Sequence, residues 1–135
     1  MPNWTKEQKL AINLDNCNIL VSAGAGSGKT AVLTERVINK VRNGVKINQL
    51  LILTFTKAAA LEMKERIRAA LVKEGFNDEL MLLDSCYITT FDSFALAVVK
   101  RYHYLLGLER NIEITPSCII DIKKRKIIDD IFEKF

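Results

Sequence analysis

Apolar and polar residues along this chain form blocks that alternate between strand-like and helix-like patterns. Three short runs, at 19–21, 50–53 and 86–89, have the composition of strands, and the run at 50–53 is typical of a strand buried on both faces of a parallel sheet. Strands that alternate with helices predict an α/β fold with a parallel sheet flanked by helices. The helical patterns lie at 5–14, from 31 to about 42, from 57 to about 74 and from 91 to about 106.

The ends of these predicted helices carry specific residues. Thr5 is an N-cap residue, and Gln8 three positions later completes a capping box. Gly44 and Gly75 stand just past the second and third helices, where glycine accepts the left-handed conformation that closes a helix. After Gly107 the pattern changes, and the remaining residues have the spacing of one amphipathic helix.

A glycine-rich loop between the first predicted strand and the next helix has the composition of a phosphate-binding loop. Glycine permits tight turns that point successive backbone N–H groups at phosphate oxygens, and the helix N-terminus adds partial positive charge. Lys29 is placed to reach the outer phosphates of a nucleoside triphosphate, and Thr30 to offer its hydroxyl to Mg²⁺. The residues expected to bind ATP are Ala23, Gly24, Ala25, Gly26, Ser27, Gly28, Lys29 and Thr30, with Lys29 and Thr30 as the catalytic pair.

The loop departs from the general pattern at its first position, where Ala23 stands in place of glycine. The turn is then made either with a methyl group present or at Gly24. An ordinary Gly/Ser turn before a helix is the plain alternative. The order of strand, loop and helix favours phosphate binding, because the motif is specific only in that context.

Composition limits the classes of protein to consider. The chain has 135 residues, of which 49% are hydrophobic, and a net charge of +4, which is compatible with nucleic acid as a partner. Cys17, Cys86 and Cys118 are too far apart to indicate a disulfide framework or a zinc site. The sequence has neither a membrane span nor a signal-peptide core. We therefore expect a cytoplasmic protein without a membrane partner.

A phosphate-loop ATPase also needs a carboxylate that holds Mg²⁺ through water and a group that orients the attacking water. Asp129 and Asp130 form the one acidic pair behind apolar residues, but they lie within the helical spacing of the last segment. That spacing favours a surface helix over a metal site. The chain is interpreted as the N-terminal part of a larger ATPase, inactive when isolated.

Three further segments resemble motifs of the superfamily 1 DNA helicases of the UvrD, Rep and PcrA type. The segment from Leu53 to Ile67 resembles the second helicase motif, and Thr90 to Phe94 resembles the next one. Trp4 to Gln8 is similar to the family's adenine-reading Q motif. With the phosphate-binding loop, four motifs stand in the family's order, and the resemblance covers roughly residues 4–108.

This resemblance implies a fold, cofactors and partners. Residues 1–108 are expected to form the N-terminal half of the first RecA-like ATP-binding domain, an incomplete P-loop NTPase fold. Residues 109–135 are expected to begin an inserted helical subdomain. The cofactors that the resemblance implies are ATP and Mg²⁺, and the partners are single- and double-stranded DNA.

Within the family, the chain is most similar to helicase–nuclease subunits of the AddA type. Ala58 supports this, because the plain helicases usually carry lysine there, and segments 31–36 and 101–106 are also similar. Gly24 is closer to the UvrD and PcrA version of the loop. An AddA-type protein implies a downstream exonuclease domain, an AddB-like partner and recombinational repair of double-strand breaks. A plain UvrD/PcrA-type repair helicase is the alternative.

The resemblance places DNA contacts at the ends of two predicted strands, at Thr54, Phe55, Thr56, Lys57 and Thr90. Thr54 and Thr56 offer hydroxyls beside a helix N-terminus, which suits a phosphate of single-stranded DNA. Phe55 suits stacking on a base, although strand alternation is also compatible with a core position. Lys57 replaces the asparagine usual in the family. Asp92 replaces histidine, and we assign no DNA contact to it because a carboxylate repels phosphate.

Gln8 has two interpretations. Its amide offers both a donor and an acceptor, which match the edge of adenine. The capping box by itself also explains a glutamine at this position. The two roles are compatible only if the side chain leaves the helix end.

Two functions of other classes remain open. A small P-loop kinase would use the same loop but would need a base and a site for the phosphoryl acceptor. A non-catalytic single-stranded DNA-binding module would use Phe55 and the basic residues 123–126, yet it has no need of Lys29 and Thr30. Salt-dependent binding of single strands without a nucleotide effect would favour the module.

Overall fold

A computed structural model of the chain describes residues 3–24 and 26–133. It divides into two compact units, Met1–Phe91 and Asp92–Phe135. Three short 3₁₀ turns, at Ile47–Gln49, Leu83–Ser85 and His103–Leu106, connect longer elements. Those longer elements are α1 (Lys6–Asn13), α2 (Lys29–Arg42), β1 (Leu51–Thr54), α3 (Lys57–Glu74), α4 (Asn77–Leu82), β2 (Tyr87–Thr90), α5 (Phe91–Tyr102) and α6 (Ser117–Phe132).

Strands β1 and β2 form a parallel pair, which confirms the predicted α/β class. Their register runs from Leu51 opposite Tyr87 to Thr54 opposite Thr90. Parallel neighbours need a crossover connection, and α3 with the shorter α4 supplies it. The two strands therefore end at the same edge of the sheet.

The core of the first unit lies where α2, α3 and the two strands meet. Ile67 and Leu71 of α3 are fully buried, as is Leu83 of the second 3₁₀ turn. Ile52 and Ile88 bring the middle of each strand into this cluster. Burial of each such aliphatic side chain contributes about 1.5–3 kcal/mol, so this core anchors the loops at the strand ends.

Helix ends follow the predicted chemistry. The hydroxyl of Thr5 accepts from the Gln8 backbone N–H, and the capping box is complete. Gly44 and Gly75 have φ of 87° and 76°, the left-handed conformation expected after α2 and α3. α5 ends at Tyr102, earlier than predicted, because a 3₁₀ turn occupies the last four residues before the left-handed Gly107.

The strand predicted at 19–21 is wrong for the described residues. These residues belong to no strand, and Leu20 and Val21 are 97% and 54% exposed. An apolar run indicates a preference for burial, but a strand also needs a neighbour for its backbone N–H and C=O groups. Within the described ranges the sheet contains β1 and β2 alone.

The structure also contains a helix that the sequence pattern does not predict, since residues Asn77–Leu82 form α4. This short helix presents Glu79 to the interior, where a carboxylate oxygen accepts from the backbone N–H of Ile47 at 2.7 Å. Lys46 donates to the other oxygen at 3.0 Å. The buried acid stabilises a helix that the local pattern does not predict.

The second unit contains most of α5 and all of α6. The predicted amphipathic tail helix is confirmed as α6, and its apolar side chains are exposed, from 41% for Ile120 to 78% for Phe132. None of this unit's described residues is buried. The domain division predicted at residue 108 stays a prediction. Among residues 3–24 and 26–133, no single helix is both long enough and apolar enough to span a membrane.

Candidate functional site

The glycine-rich loop leads directly into α2, whose N-cap is Gly28. Gly26 and Gly28 have φ of 77° and 79°, whereas Ala23 and Gly24 are not left-handed. The left-handed turns thus fall two and four residues after Gly24, the later of the two positions considered from the sequence. Ala23 therefore introduces no backbone strain.

Ala25, which was also expected to bind ATP, lies outside the described residues.

Lys29 folds its ammonium group back over this loop. Its Nζ donates to the carbonyl oxygens of Ala23 and Gly24 at 2.8 and 2.6 Å. The ammonium thus lies beside the N-terminus of the 14-residue α2, where the helix dipole favours an anion. A cation that is bound by neutral carbonyls can exchange them for phosphate oxygens, so the donor set fits a polyphosphate.

A cavity of about 660 Å³ opens between α1, the loop and α2. Its volume is within the range of small-ligand sites, which is about 300–1,000 Å³. The wall is mainly apolar and carries polar or charged side chains that include Gln8, Lys29 and Arg36, a combination that fits a base joined to phosphates. It also carries the carboxylate of Glu7. The lining residues are Thr5, Glu7, Gln8, Ala11, Ile19, Val21, Ser22, Ala23, Ser27, Lys29, Val32, Leu33 and Arg36.

Gln8 connects α1 to the loop. Its Oε1 accepts from the backbone N–H of Thr5 at 2.9 Å, and its Nε2 donates to the Ser27 carbonyl at 3.3 Å. The capping-box interpretation is therefore confirmed, and the amide has a second contact that the sequence did not predict. Contact with adenine requires the side chain to give up one of these bonds.

Arg36 is a residue of this site that the motifs did not indicate. Its Nη1 donates to the carbonyls of Ala11 and Ile12 at 2.6 and 3.3 Å, at the C-terminal end of α1. Asn39, one turn further along α2, donates to the Asn13 side chain at 3.1 Å. Val32 and Arg36 are four residues apart on α2, so they lie on the same face of the helix, and both line the cavity. This spacing is the signal from which Arg36 could have been found.

Thr30, the residue expected to bind Mg²⁺, is exposed in the first turn of α2. Its carbonyl accepts from the hydroxyl of Thr34 at 2.9 Å. Asp129 and Asp130 lie on α6 and are exposed, as their helical spacing predicted. In the part of the chain that the structure describes, no three acidic, histidine or cysteine side chains are grouped to hold a metal ion.

The residues at the end of β1 form an exposed turn into α3. Thr56 is the N-cap of α3, where its hydroxyl accepts from the Ala59 N–H at 3.1 Å. Thr54 donates its hydroxyl to the Thr56 carbonyl at 3.0 Å. Phe55 is 94% exposed, so the core alternative for its ring is wrong. Lys57, the first residue of α3, is also exposed.

The end of β2 lies next to this turn, and there Phe91 is exposed in place of the expected Thr90. Thr90, expected to contact DNA, is only 7% exposed and faces the interior. Phe91 follows it with 55% of its surface exposed, and its ring centroid lies 6.1 Å from that of Phe55. The burial of Thr90 does not favour a contact between its side chain and DNA. That contact stays a prediction.

Comparison with known proteins agrees with these motifs. The family described as the UvrD/REP helicase N-terminal domain matches residues 4–134. An ATP-dependent helicase/nuclease subunit of Heliobacterium modesticaldum is 44% identical over 142 aligned residues, covering 99% of this chain and 10% of that protein. The protein of the same name from Clostridium perfringens is 45% identical, covering 96% and 11%. That from Oceanobacillus iheyensis is 41% identical, covering 100% and 12%.

The chain spans about a tenth of the length of these curated relatives. The match extends over the glycine-rich loop, the turn at Phe55 and the segment at Thr90, which carried the resemblance in the sequence. The predicted likeness to helicase–nuclease subunits of the AddA type is confirmed. The chain therefore belongs to the UvrD/REP helicase N-terminal domain family.

Proposed function

We propose that this chain is the N-terminal ATP-binding part of an ATP-dependent DNA helicase and translocase, a helicase–nuclease subunit that acts in recombinational repair of double-strand breaks. The observation that carries the proposal is the Lys29 ammonium, which lies over the glycine-rich loop and donates there to neutral carbonyls. The names of the relatives support the wider activity. Residues 1–108 would form half of a RecA-like domain and residues 109–135 the start of a helical subdomain.

In this proposal, each loop residue has a physical role toward ATP and Mg²⁺. The backbone N–H groups of Gly26 to Thr30 hold phosphate oxygens, and Lys29 neutralises the outer phosphates. Thr30 offers its hydroxyl oxygen to the cation, a hard ion that prefers oxygen. When bound, ATP with Mg²⁺ supplies the hydrolysis whose free energy drives movement along DNA.

The exposed turn at the end of β1 is the proposed DNA surface. Phe55 offers a ring to a base of any sequence, as a translocating protein requires. Thr56 is the N-cap of α3 and Lys57 is its first residue, so their backbone N–H groups and the lysine charge favour a backbone phosphate. A cytoplasmic location and an AddB-like partner belong to the same proposal.

The other functions are less well supported. A small P-loop kinase leaves the exposed Phe55 without a role. A non-catalytic DNA-binding module leaves the cavity beside Lys29 without a role. A plain UvrD/PcrA-type repair helicase would use the same loop and the same exposed turn, and the relatives' names favour the helicase–nuclease subunit over it.

Nucleotide binding by the chain tests this proposal most directly. Titration of a fluorescent ATP analogue with Mg²⁺ into the wild-type chain should give saturable binding, and Lys29→Ala should weaken it at least tenfold. Lys9→Ala, which removes an exposed lysine from α1, is the matched control and should leave binding unchanged. Equal affinity of wild type and Lys29→Ala would contradict the assignment of this loop.

A measurement of ATP hydrolysis tests whether this chain has catalytic activity without the rest of the proposed enzyme. We expect no Mg²⁺-dependent ATP turnover by the 135-residue chain, with or without single-stranded DNA. Turnover that disappears in Lys29→Ala would show instead that the chain is a complete enzyme. The metal-binding carboxylate would then have to be sought at Asp129 and Asp130.

A further inference from the structure

We propose that Phe91 is a second base-stacking residue, which with Phe55 forms a two-ring platform for successive bases of a single strand. This inference rests on the proposed function, since it extends the DNA surface at the end of β1. Phe91 was not among the residues that the motifs assigned to DNA. The parallel pairing of the two strands places it there.

The register of the sheet explains why the two rings are neighbours. Thr54 pairs with Thr90 at the last rung of the ladder, so Phe55 and Phe91 each stand one residue past that rung. Parallel strands end at the same edge of a sheet, and side chains that follow paired residues therefore emerge side by side. The separation of 36 positions in sequence conceals this neighbourhood.

Exposure distinguishes this pair from an ordinary aromatic contact in a core. The Phe55 ring is 94% exposed and Phe91 is 55% exposed, although both follow strands whose central residues are buried. Large aromatic side chains bury substantial apolar area when they pack, so leaving two of them exposed on one edge forgoes stabilisation. Two adjacent exposed rings fit a partner with flat apolar faces, and nucleobases have such faces.

The geometry of the rings determines how bases are held. Their centroids are 6.1 Å apart and their planes are tilted by 41°. Because the two planes are tilted, a flat base cannot lie parallel to both rings, so the pair does not sandwich a base. In this proposal each ring instead stacks on one base. Two bases held in this way are themselves tilted, and the strand bends between them.

The charge beside the platform orients the strand. Lys57, exposed at the start of α3, is positive and lies two residues from Phe55. A strand crossing the platform therefore places its phosphates toward Lys57 and its bases over the rings. Because the bend breaks stacking between neighbouring bases, oligothymidylate should bind more tightly than oligoadenylate, whose bases stack on one another more strongly.

Tryptophan fluorescence provides the test. In a Trp4→Phe background, which removes the single native tryptophan, the variants Phe91→Trp, Phe55→Trp and Phe132→Trp each carry one reporter. Stacking of a base on an indole quenches its fluorescence. Titration with a 15-nucleotide oligothymidylate at low salt should quench the reporters at 55 and 91. The reporter at 132, on an exposed position of α6, is the matched control and should not respond.

The outcomes separate this inference from the proposed function. Quenching at 55 without quenching at 91 would overturn the role of Phe91 and leave the DNA surface intact. Absence of quenching at both positions would overturn the DNA surface itself. An affinity measurement on the wild-type background completes the test. Phe91→Ala should weaken oligothymidylate binding at least about fivefold. Phe91→Tyr, which keeps an aromatic ring, should retain the wild-type affinity, and Phe132→Ala should leave the affinity unchanged.

Discussion

The side-chain amide of Gln8 donates to the backbone carbonyl of Ser27 at 3.3 Å, and so joins the first helix to the glycine-rich loop. The same side chain accepts from the Thr5 N–H at 2.9 Å. One residue therefore caps a helix and holds the loop in place. The conformation of the glycine-rich loop is thereby coupled to the N-terminal end of α1 through the amide of Gln8.

Gln8→Glu should separate these two roles. The glutamate keeps an oxygen for the Thr5 N–H but loses the donor to Ser27 and brings a negative charge toward the proposed phosphate site. We expect a loss of less than about 1 kcal/mol in the free energy of unfolding and a clear loss of nucleotide affinity. Urea unfolding and fluorescent ATP-analogue titration measure the two quantities. Lys9→Gln, at an exposed position of the same helix outside the cavity lining, makes the same change in net charge and controls for it. Unchanged nucleotide affinity in Gln8→Glu would show that the amide has no role in binding.

Arg36 should contribute to the stability of the fold. Arg36→Ala leaves the carbonyls of Ala11 and Ile12 without their charged donor, and α1 loses its main polar attachment to α2. Hydrogen bonds to charged groups contribute about 1.5–3 kcal/mol, so the free energy of unfolding should fall by about that amount. Urea denaturation measures it. Arg66→Ala removes an exposed pair with Glu62 instead and should cost under about 1 kcal/mol. Equal losses in the two variants would contradict the attachment.

The free energy of unfolding should depend on pH through the carboxyl group of Glu79. Burial raises the pKa of its carboxyl, but the Ile47 N–H and the Lys46 ammonium outweigh burial, and the pKa lies below the ordinary value of 4.5. A carboxyl whose pKa is lower in the folded state stabilises fully above the unfolded pKa, and this contribution is lost as the pH falls through the folded value. The chain should therefore lose this stabilisation below about pH 4.5.

The variant Glu79→Gln isolates that contribution. Its amide oxygen can still accept from Ile47, but it carries no charge to lose. The difference in unfolding free energy between wild type and Glu79→Gln should be about 1 kcal/mol at pH 7 and should shrink as the pH falls from 5 to 3. Denaturant unfolding at a series of pH values measures it. A difference that stays constant with pH would show that the charge of Glu79 makes no contribution.

Leu20 provides a test of the segment that was expected to be a strand. Because its side chain is 97% exposed, Leu20→Ser should change the free energy of unfolding by no more than about 0.5 kcal/mol. Ile67→Ala, in the buried face of α3, should cost about 2–5 kcal/mol under the same conditions. A loss of several kcal/mol for Leu20→Ser would mean that this segment is buried in solution.

Local chemistry made much of this fold predictable. Thr5 with Gln8 predicted the start of α1, and Gly75 predicted the end of α3, because a capping box and a left-handed glycine act over three or four residues. Short-range rules could not identify α4, since its stability depends on the contact between Glu79 and Ile47, 32 positions apart. They also misplaced the strand at 19–21, because pairing needs a neighbour that hydrophobicity alone does not specify.

By itself, the sequence determined the α/β class, the position of the glycine-rich loop and the choice of Lys29 and Thr30 as candidate site residues, since each depends on the type and order of adjacent residues. Only the tertiary structure decided that Gly26 and Gly28 make the turns, that Arg36 attaches α1, that Thr90 is buried and that Phe91 lies beside Phe55. The physical reason is that exposure and neighbourhood arise from the pairing and packing of segments distant in sequence. A motif specifies its own residues, whereas the register of β1 and β2 specifies which residues meet at the edge where the motifs end.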